Sequence, residues 1–147
     1  MTEENHQSLL FNPVLIAGSL ILIVGFAIRA SFGVFQIPIE EEFGWLRADF
    51  SLAIAIQNLA WGIGQPLFSM IAEKYGDRKA IFLGSVLYAV GLILSSYAVT
   101  PLAHQFLEIL IGFGIAGMGF GVILAVIGRT TSEKNRSLAL GIATSAG

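Results

Sequence analysis

Arg29 is the residue of this sequence that most needs a chemical explanation, because it interrupts the apolar stretch 13–37. An arginine at the centre of a bilayer costs about 2.5–3.5 kcal/mol on insertion scales, so a polar or anionic partner must compensate it. Gly25 and Gly33 lie one helical turn to either side and leave room around its guanidinium group. Because a guanidinium group can bind a carboxylate through two parallel hydrogen bonds, one interpretation of Arg29 is a binding site for an anionic substrate.

Glu108 is the acidic residue near the start of another apolar stretch, 104–128, and it admits several roles. Counted from the same membrane face at 1.5 Å per residue, Arg29 lies about 12 Å deep and Glu108 about 6 Å deep, so an extended arginine can reach the carboxylate. A structural ion pair is therefore a second interpretation of Arg29. A buried carboxyl group whose protonation responds to a nearby cation is also a candidate proton carrier, and a carboxylate near a helix end can simply contact water. The residues leave these alternatives open.

The apolar stretch 50–72 carries side chains with hydrogen-bonding groups at three- and four-residue spacing. They are Gln57, Asn58, Trp61 and Gln65. On a helix this spacing gathers them on one side, which is not expected to face lipid. These residues either line a polar, substrate-binding pathway or form hydrogen bonds across a helix interface.

Long apolar segments must position all of these side chains. Hydrophobic residues make up 55% of the sequence and charged residues only 12%, against about 25% in an ordinary globular domain, and the mean hydropathy is +0.79. Apolar stretches of about 18 residues or more predict membrane-spanning helices. We therefore expect an all-α integral membrane protein embedded in a lipid bilayer. Four complete transmembrane helices are predicted at 13–37, 50–72, 80–98 and 104–128, with the start of a fifth at 137–147.

Several classes of function find no support in the sequence. It contains no cysteine, which excludes disulfides and thiolate metal sites. His6 and His104 stand apart without partners at metal-ligand spacing, so we interpret them as ordinary histidines and predict neither a metal nor a cofactor. The sequence has no nucleophile and base at a recognisable spacing and no nucleotide-binding loop, so an enzyme is not expected. It has no long basic run, so nucleic-acid binding is not expected either.

The short segment 73–79 is predicted to make a tight turn between two antiparallel helices, and it carries most of the charge between them. Its notable residues are Glu73, Lys74, Gly76, Asp77, Arg78 and Lys79. Basic residues recur at 129–136 on the same predicted side, whereas Arg47 stands alone on the opposite side. Since cytoplasmic loops are enriched in lysine and arginine, both basic segments and the amino-terminal tail 1–12 are predicted to be cytoplasmic. The predicted location is a bacterial-type inner membrane or a plasma membrane.

Gly117 and Gly121 form a G-x-x-x-G pair, a pattern that lets two helices approach closely. We interpret the pair as a helix-packing feature rather than as a binding site. The last apolar run, 137–147, reaches only about halfway across a bilayer. It predicts that residues 13–147 are the amino-terminal part of a longer chain.

Residues 69–79 resemble the signature loop of the major facilitator superfamily, G-x-L-A-D-[RK]-x-G-[RK]-[RK]. Lys74, Gly76 and Arg78 match the pattern directly, Glu73 replaces the usual aspartate, and Asp77 stands where a basic residue is common. The resemblance implies a twelve-helix fold, of which this chain supplies part of the amino-terminal six-helix half. It also implies a secondary transporter that works by alternating access. In such a protein Glu73, Arg78 and Lys74 would belong to a charge network that latches the two halves.

Residues 29–35 and 43–47 are similar to the oxalate/formate antiporter and monocarboxylate-porter branch of that superfamily, in which an F-G-W-[ST]-R string precedes the second helix. Leu46 replaces the small hydroxyl residue. The resemblance implies small organic anions such as monocarboxylates as substrates, a cavity between two halves, and coupling to protons or to exchange. A hypothesis from a different class is a small helical membrane subunit or channel-forming oligomer without transporter activity.

Overall fold

The computed structural model describes Leu9 and residues 11–147, and these residues are almost entirely helical. Most of the tail 1–12, which is predicted to be cytoplasmic, lies outside the described residues. The helices, in chain order, are α1 (Pro13–Phe43), α2 (Arg47–Tyr75), α3 (Asp77–Ser95), α4 (Pro101–Met118), α5 (Phe120–Thr130) and α6 (Glu133–Ala146). The expected all-α fold class is confirmed.

Helix α1 is longer than the sequence predicts, because it does not stop before Pro38. Its start is capped by Asn12, whose side chain accepts a hydrogen bond from the Val14 N–H at 2.9 Å. Pro38 removes one backbone donor, but the helix continues around it, and the Gln36 side chain donates to Glu40 at 2.7 Å across the same turn. The helix ends only at Gly44, which has a left-handed φ of 66° that favours glycine.

A single residue, Gly76, separates α2 from α3. Its φ of 100° is strained for any residue with a side chain, and its N–H donates to the Ala72 carbonyl at 2.9 Å. The prediction that the charged segment 73–79 makes a tight turn is therefore confirmed. The helices on either side extend into that segment from both ends.

The predicted single helix at 104–128 is divided in the structure. It begins earlier, at Pro101, where the Thr100 hydroxyl accepts a hydrogen bond from the Ala103 N–H, and it is interrupted at Gly119, whose backbone is extended. Gly117 and Gly121 consequently belong to different helices, α4 and α5. Both glycines are closely packed, but the intervening break gives them different neighbours: Gly117 lies against Gly84 of α3, and Gly121 lies against Gln65 of α2.

Among the described residues, three stretches are long and apolar enough to cross a membrane: Pro13–Phe43, Asp77–Ser95 and Pro101–Thr130. Helix α2 has 29 residues, which is a sufficient length, but Gln57, Asn58 and Gln65 make it more polar than these three. The predicted count of four complete spans therefore depends on α2, whose polar side chains would have to face other helices.

Helix α4 packs against both α2 and α3 through glycines that bring backbones into contact. Gly112 faces Ala60 of α2, and Gly114 faces the backbone of Tyr88 on α3. Gly117 lies against Gly84 of α3. In a membrane, where lipid is as apolar as the side chains, close approach of this kind is a main source of helix association.

Helix α1 packs mainly on the other side of the molecule, against α5 and α6. Leu22, Ile123 and Ile127 form a core there with Ala139 and Ala143 of α6. Helix α1 stands further from α2, which it meets through long side chains rather than through backbone. A cavity opens between these two helices as a result.

Replacing Gly84 or Gly117 by alanine is expected to destabilise the protein, because each new methyl group would overlap backbone. A Cβ at Gly84 would lie 2.6 Å from the Gly117 Cα, and a Cβ at Gly117 would lie 2.7 Å from the Gly84 Cα. Overpacking typically costs about 1–3 kcal/mol. The midpoint of thermal unfolding in detergent, measured from the fraction that remains monodisperse, should fall clearly for both variants.

Gly62→Ala is the matched control, since a Cβ at this position in α2 meets nothing within 4 Å. Its midpoint should stay level or rise slightly, because alanine is favoured over glycine inside a helix by about 0.5–1 kcal/mol. Midpoints for Gly84→Ala and Gly117→Ala as high as that of Gly62→Ala would contradict the close approach of α3 and α4.

Candidate functional site

The cavity between α1 and α2 has a volume of about 450 Å³ and contains the Arg29 side chain in its wall. We call it the Arg29 cavity. Its lining residues are Arg29, Ala30, Phe32, Gly33 and Gln36 from α1, and Phe50, Ser51, Ile54 and Gln57 from α2. Among these lining residues, Arg29 alone carries a full charge. The cavity is therefore a positively charged space between α1 and α2.

Arg29 is held in place by two residues of α2. Its Nη2 donates to the Asn58 side-chain carbonyl at 2.5 Å, and its guanidinium carbon lies 5.4 Å from the centre of the Trp61 ring. The buried Nε of Arg29 has no hydrogen-bond partner among the described residues, and no described carboxylate lies within ion-pair distance. An amide and an aromatic ring thus orient the cation without neutralising it, which leaves it free to bind an anion.

Glu108 is completely buried and belongs to a separate row of polar groups. Its Oε2 accepts a hydrogen bond from Gln57 Nε2 at 2.6 Å, and its Oε1 lies 3.4 Å from His104 Nε2, one turn earlier on α4. The other ring nitrogen of His104 lies 2.8 Å from the Ser95 hydroxyl on α3. The row Ser95–His104–Glu108–Gln57 therefore runs from α3 through α4 to α2.

The predicted ion pair between Arg29 and Glu108 is not formed. The two groups are instead bound by consecutive residues of α2, Asn58 and Gln57. Consecutive side chains on an α-helix project about 100° apart, so one amide reaches α1 while the next reaches α4. Each charged group therefore has its own hydrogen-bond partner on α2.

Only some of the predicted binding residues come together. Arg29, Asn58 and Trp61 form one cluster, and Gln57 connects the wall of the cavity to Glu108. Gln65 lies further along α2 against Gly121. Its amide group occupies the space that a side chain at residue 121 would fill. Gln65 therefore acts in packing between α2 and α5 and not in this cluster.

His104 and Ser95 are polar-row residues that the sequence analysis did not single out. The four-residue spacing of His104 and Glu108 was the available signal, since it places both on one face of a helix. Tyr88 was also missed, and its hydroxyl donates to the Gly25 carbonyl of α1 at 3.0 Å. These contacts link α1, α3 and α4 inside the bundle.

A second cavity of about 340 Å³ lies at the end of the bundle where α1 meets α2 and α3 meets α4. Its walls are mostly aromatic, so we call it the aromatic cavity. Its lining residues include Phe32, Phe35, Phe43, Trp45, Phe50 and Leu92, together with Ser95 and His104. Phe32 and Phe50 also line the Arg29 cavity, so these two rings separate the two spaces.

The charged segment 73–79 makes an ion pair that the sequence analysis did not foresee. Asp77 Oδ1 accepts from Arg129 Nη2 of α5 at 2.5 Å, and Glu73 lines the small cavity beside this pair. Glu73 and Arg78, the pair implied by the resemblance, form no ion pair among the described residues. The turn at Gly76 places Asp77 at the first position of α3, facing the end of α5, where Arg129 lies. Lys74 lies over its neighbouring Tyr75 ring at 5.1 Å.

Known proteins resemble this chain over most of its length. The Major Facilitator Superfamily profile matches residues 17–147. Monocarboxylate transporter 13 of Bos taurus is 36% identical over 127 residues, which cover 80% of this chain and 28% of that protein. Its counterpart in Rattus norvegicus is 36% identical over 124 residues, covering 80% and 27%. Monocarboxylate transporter 2 of Meriones unguiculatus is 30% identical over 137 residues, covering 87% and 27%.

The chain thus spans between a quarter and a third of the length of these curated relatives. No solved structure matches it at a significant level. The relatives are transporters by name and not enzymes, in agreement with the sequence analysis. Because the family profile covers nearly all of the described residues, the chain belongs to the major facilitator superfamily and is an integral membrane protein.

Proposed function

We propose that this chain forms the amino-terminal part of a secondary active transporter that moves small organic anions, such as monocarboxylates, by alternating access. The observation that carries the proposal is Arg29, a cation in the wall of an intramembrane cavity without a carboxylate partner among the described residues. A group of this kind within a membrane helix is functional by default, because its cost must be offset. The transporter relatives support the same reaction class.

In the proposed site, the carboxylate of the substrate binds the guanidinium group of Arg29. Asn58 fixes one nitrogen of that group, and Trp61 lies against its face, so the donors that remain point in a restricted set of directions. Bidentate pairing with a carboxylate uses this planar geometry. Ser51 and Gln57 provide further polar groups on the cavity wall. The remainder of the transporter chain would close the other side of the site.

The proposed topology has α2 as a fourth membrane-spanning helix within a twelve-helix fold. Its buried Gln57 bonds to α4, which fits a helix whose polar groups face protein. Enrichment of lysine and arginine at 73–79 and 129–136 supports a cytoplasmic position for both segments and for the amino terminus. The monocarboxylate transporter relatives are animal proteins, which lends no support to a bacterial-type membrane and favours a plasma membrane.

The segment 73–79 is proposed to act as a conformational latch through Asp77 and Arg129. This pair is partly exposed, and pairs of that kind contribute only about 0.2–1 kcal/mol. A weak contact suits a latch, because it must open and close in every transport cycle. Glu73, which lines the same small cavity, adds a second carboxylate within the network. Family membership weighs against the alternative of a small helical subunit without transport activity.

Arg29→Ala in the full-length protein is expected to lower uptake of labelled monocarboxylates into proteoliposomes by about 10- to 100-fold, because a charge-assisted hydrogen bond contributes about 1.5–3 kcal/mol. Arg29→Lys should retain part of the activity, since it keeps the charge but loses the bidentate geometry. Arg47→Ala, at the start of α2, is the control and should transport normally. Full uptake by Arg29→Ala would refute the assigned role.

Neutralising the latch pair is expected to alter the rate of transport more than the apparent affinity. Asp77→Asn and Arg129→Gln should each change the initial uptake rate several-fold, and the exchanged pair Asp77→Arg with Arg129→Asp should restore it in part. Glu133→Gln, an exposed carboxylate at the start of α6, serves as a control. Unaltered rates in both single variants would show that the contact has no part in the cycle.

A further inference from the structure

Gln57 in the wall of the Arg29 cavity uses one end of its amide group and leaves the other end unpaired. Its Nε2 donates to Glu108 Oε2 at 2.6 Å, whereas its buried Oε1 has no hydrogen-bond partner among the described residues. The residue is 1% exposed, yet it lines the cavity that contains Arg29. A buried acceptor without a partner is costly, so a group that donates to this oxygen is expected.

We propose, resting on the proposed transporter function, that Gln57 Oε1 accepts a hydrogen bond from the substrate and so selects hydroxy monocarboxylates over oxo monocarboxylates. A hydroxyl group on the carbon next to the carboxylate can donate to this oxygen. An oxo group on the same carbon can only accept, so it would bring two acceptors together. Gln57 is then a specificity-determining residue, whereas Arg29 binds the carboxylate that both classes share.

The orientation of the Gln57 amide is set by Glu108. A carboxylate offers acceptors only, so it binds the nitrogen end of the amide and leaves the oxygen end for another partner. Glu108 itself is 0% exposed and lies among packed helices. Turning the amide over would place its oxygen where Nε2 now lies, 2.6 Å from a carboxylate oxygen. The bond to Glu108 therefore keeps the acceptor of Gln57 available.

The position of Gln57 suits a substituent close to the bound carboxylate. Asn58, the next residue of α2, accepts from Arg29 Nη2 at 2.5 Å, and consecutive Cα atoms are about 3.8 Å apart. Gln57 and Arg29 also line the same cavity. A short acid whose carboxylate binds Arg29 can thus reach Gln57 with the group on its neighbouring carbon.

The other polar side chains of the cavity wall do not make this distinction. Arg29 is a donor only, and the Ser51 hydroxyl can donate or accept, so it suits either class of acid. Gln36 lies seven residues from Arg29 on α1, which is about 10 Å along the helix axis. Its Nε2 is bonded to Glu40 at 2.7 Å. Gln57 Oε1 is therefore the side-chain acceptor that a group next to the carboxylate meets.

The test compares three acids that differ only at carbon 2, namely 2-hydroxypropanoate, propanoate and 2-oxopropanoate. Each competes with labelled propanoate during exchange at equal pH by the full-length protein in proteoliposomes. Wild type should bind the preferred enantiomer of the hydroxy acid about tenfold or more tightly than the oxo acid, because the oxo group leaves the buried acceptor unpaired. Propanoate should lie between the two.

The double variant Gln57→Met with Glu108→Met removes the acceptor together with the carboxylate that orients it, so neither partner is left alone. Its preference for the hydroxy acid over the oxo acid should fall to within about twofold, while its affinity for propanoate stays within about threefold of wild type. Gln65→Met is the matched control, since Gln65 lies on the same helix but packs against Gly121. It should keep the wild-type preference.

A second measurement covers any variant that has lost exchange. The rise in the midpoint of thermal unfolding in detergent that each acid produces should rank the three acids in the same order. Equal binding of the hydroxy and oxo acids by wild type, an unchanged preference in the double variant, or a lost preference in Gln65→Met would each overturn the proposal. Absence of transport of all three acids by wild type would instead refute the proposed transporter function.

Discussion

The structure depends on one constraint, which is that a polar side chain buried among helices is costly unless another group of the protein forms a hydrogen bond with it. Two neighbouring amides on α2 meet much of this requirement. Asn58 bonds to Arg29 on α1, and Gln57 bonds to Glu108 on α4. Because these side chains leave the helix in different directions, α2 connects two helices that hardly touch each other. The polarity that makes α2 the least apolar of the long helices is thus the reason that it can bond to α1 and to α4 at the same time.

Much of the fold follows from the sequence because the bilayer imposes simple rules. Long apolar runs and a charged turn at 73–79 predicted the helices, their order and the hairpin at Gly76. The structure differs from the sequence prediction at two places, where a helix either continues or is interrupted. Pro38 does not end α1, because a helix can lose one donor and continue, whereas Gly119 interrupts a helix that contains no proline there. Neither outcome is determined by residue type, since each depends on what the neighbouring helices require.

The candidate site was predictable only in part. The cost of burying an arginine identified Arg29, and helical spacing identified Asn58 and Trp61 as residues on a polar face. The pairing of Arg29 with Glu108 was wrong, because depth along two helices does not specify which way each side chain faces. His104 was dismissed as an isolated histidine, although its partner stands four residues later. Asp77 and Arg129 are far apart in sequence, so only the packing of α3 beside α5 brings them together.

The break at Gly119 divides the bundle into two packing groups. Helices α2, α3 and α4 are joined by close glycine contacts, while α1, α5 and α6 share a separate aliphatic core. Arg29 belongs to the second group and Asn58 to the first, so the Arg29 cavity lies between the two packing groups. A ligand seated there would therefore contact both packing groups at once, and the chain passes from one group to the other at Gly119 and in the short segment 44–46.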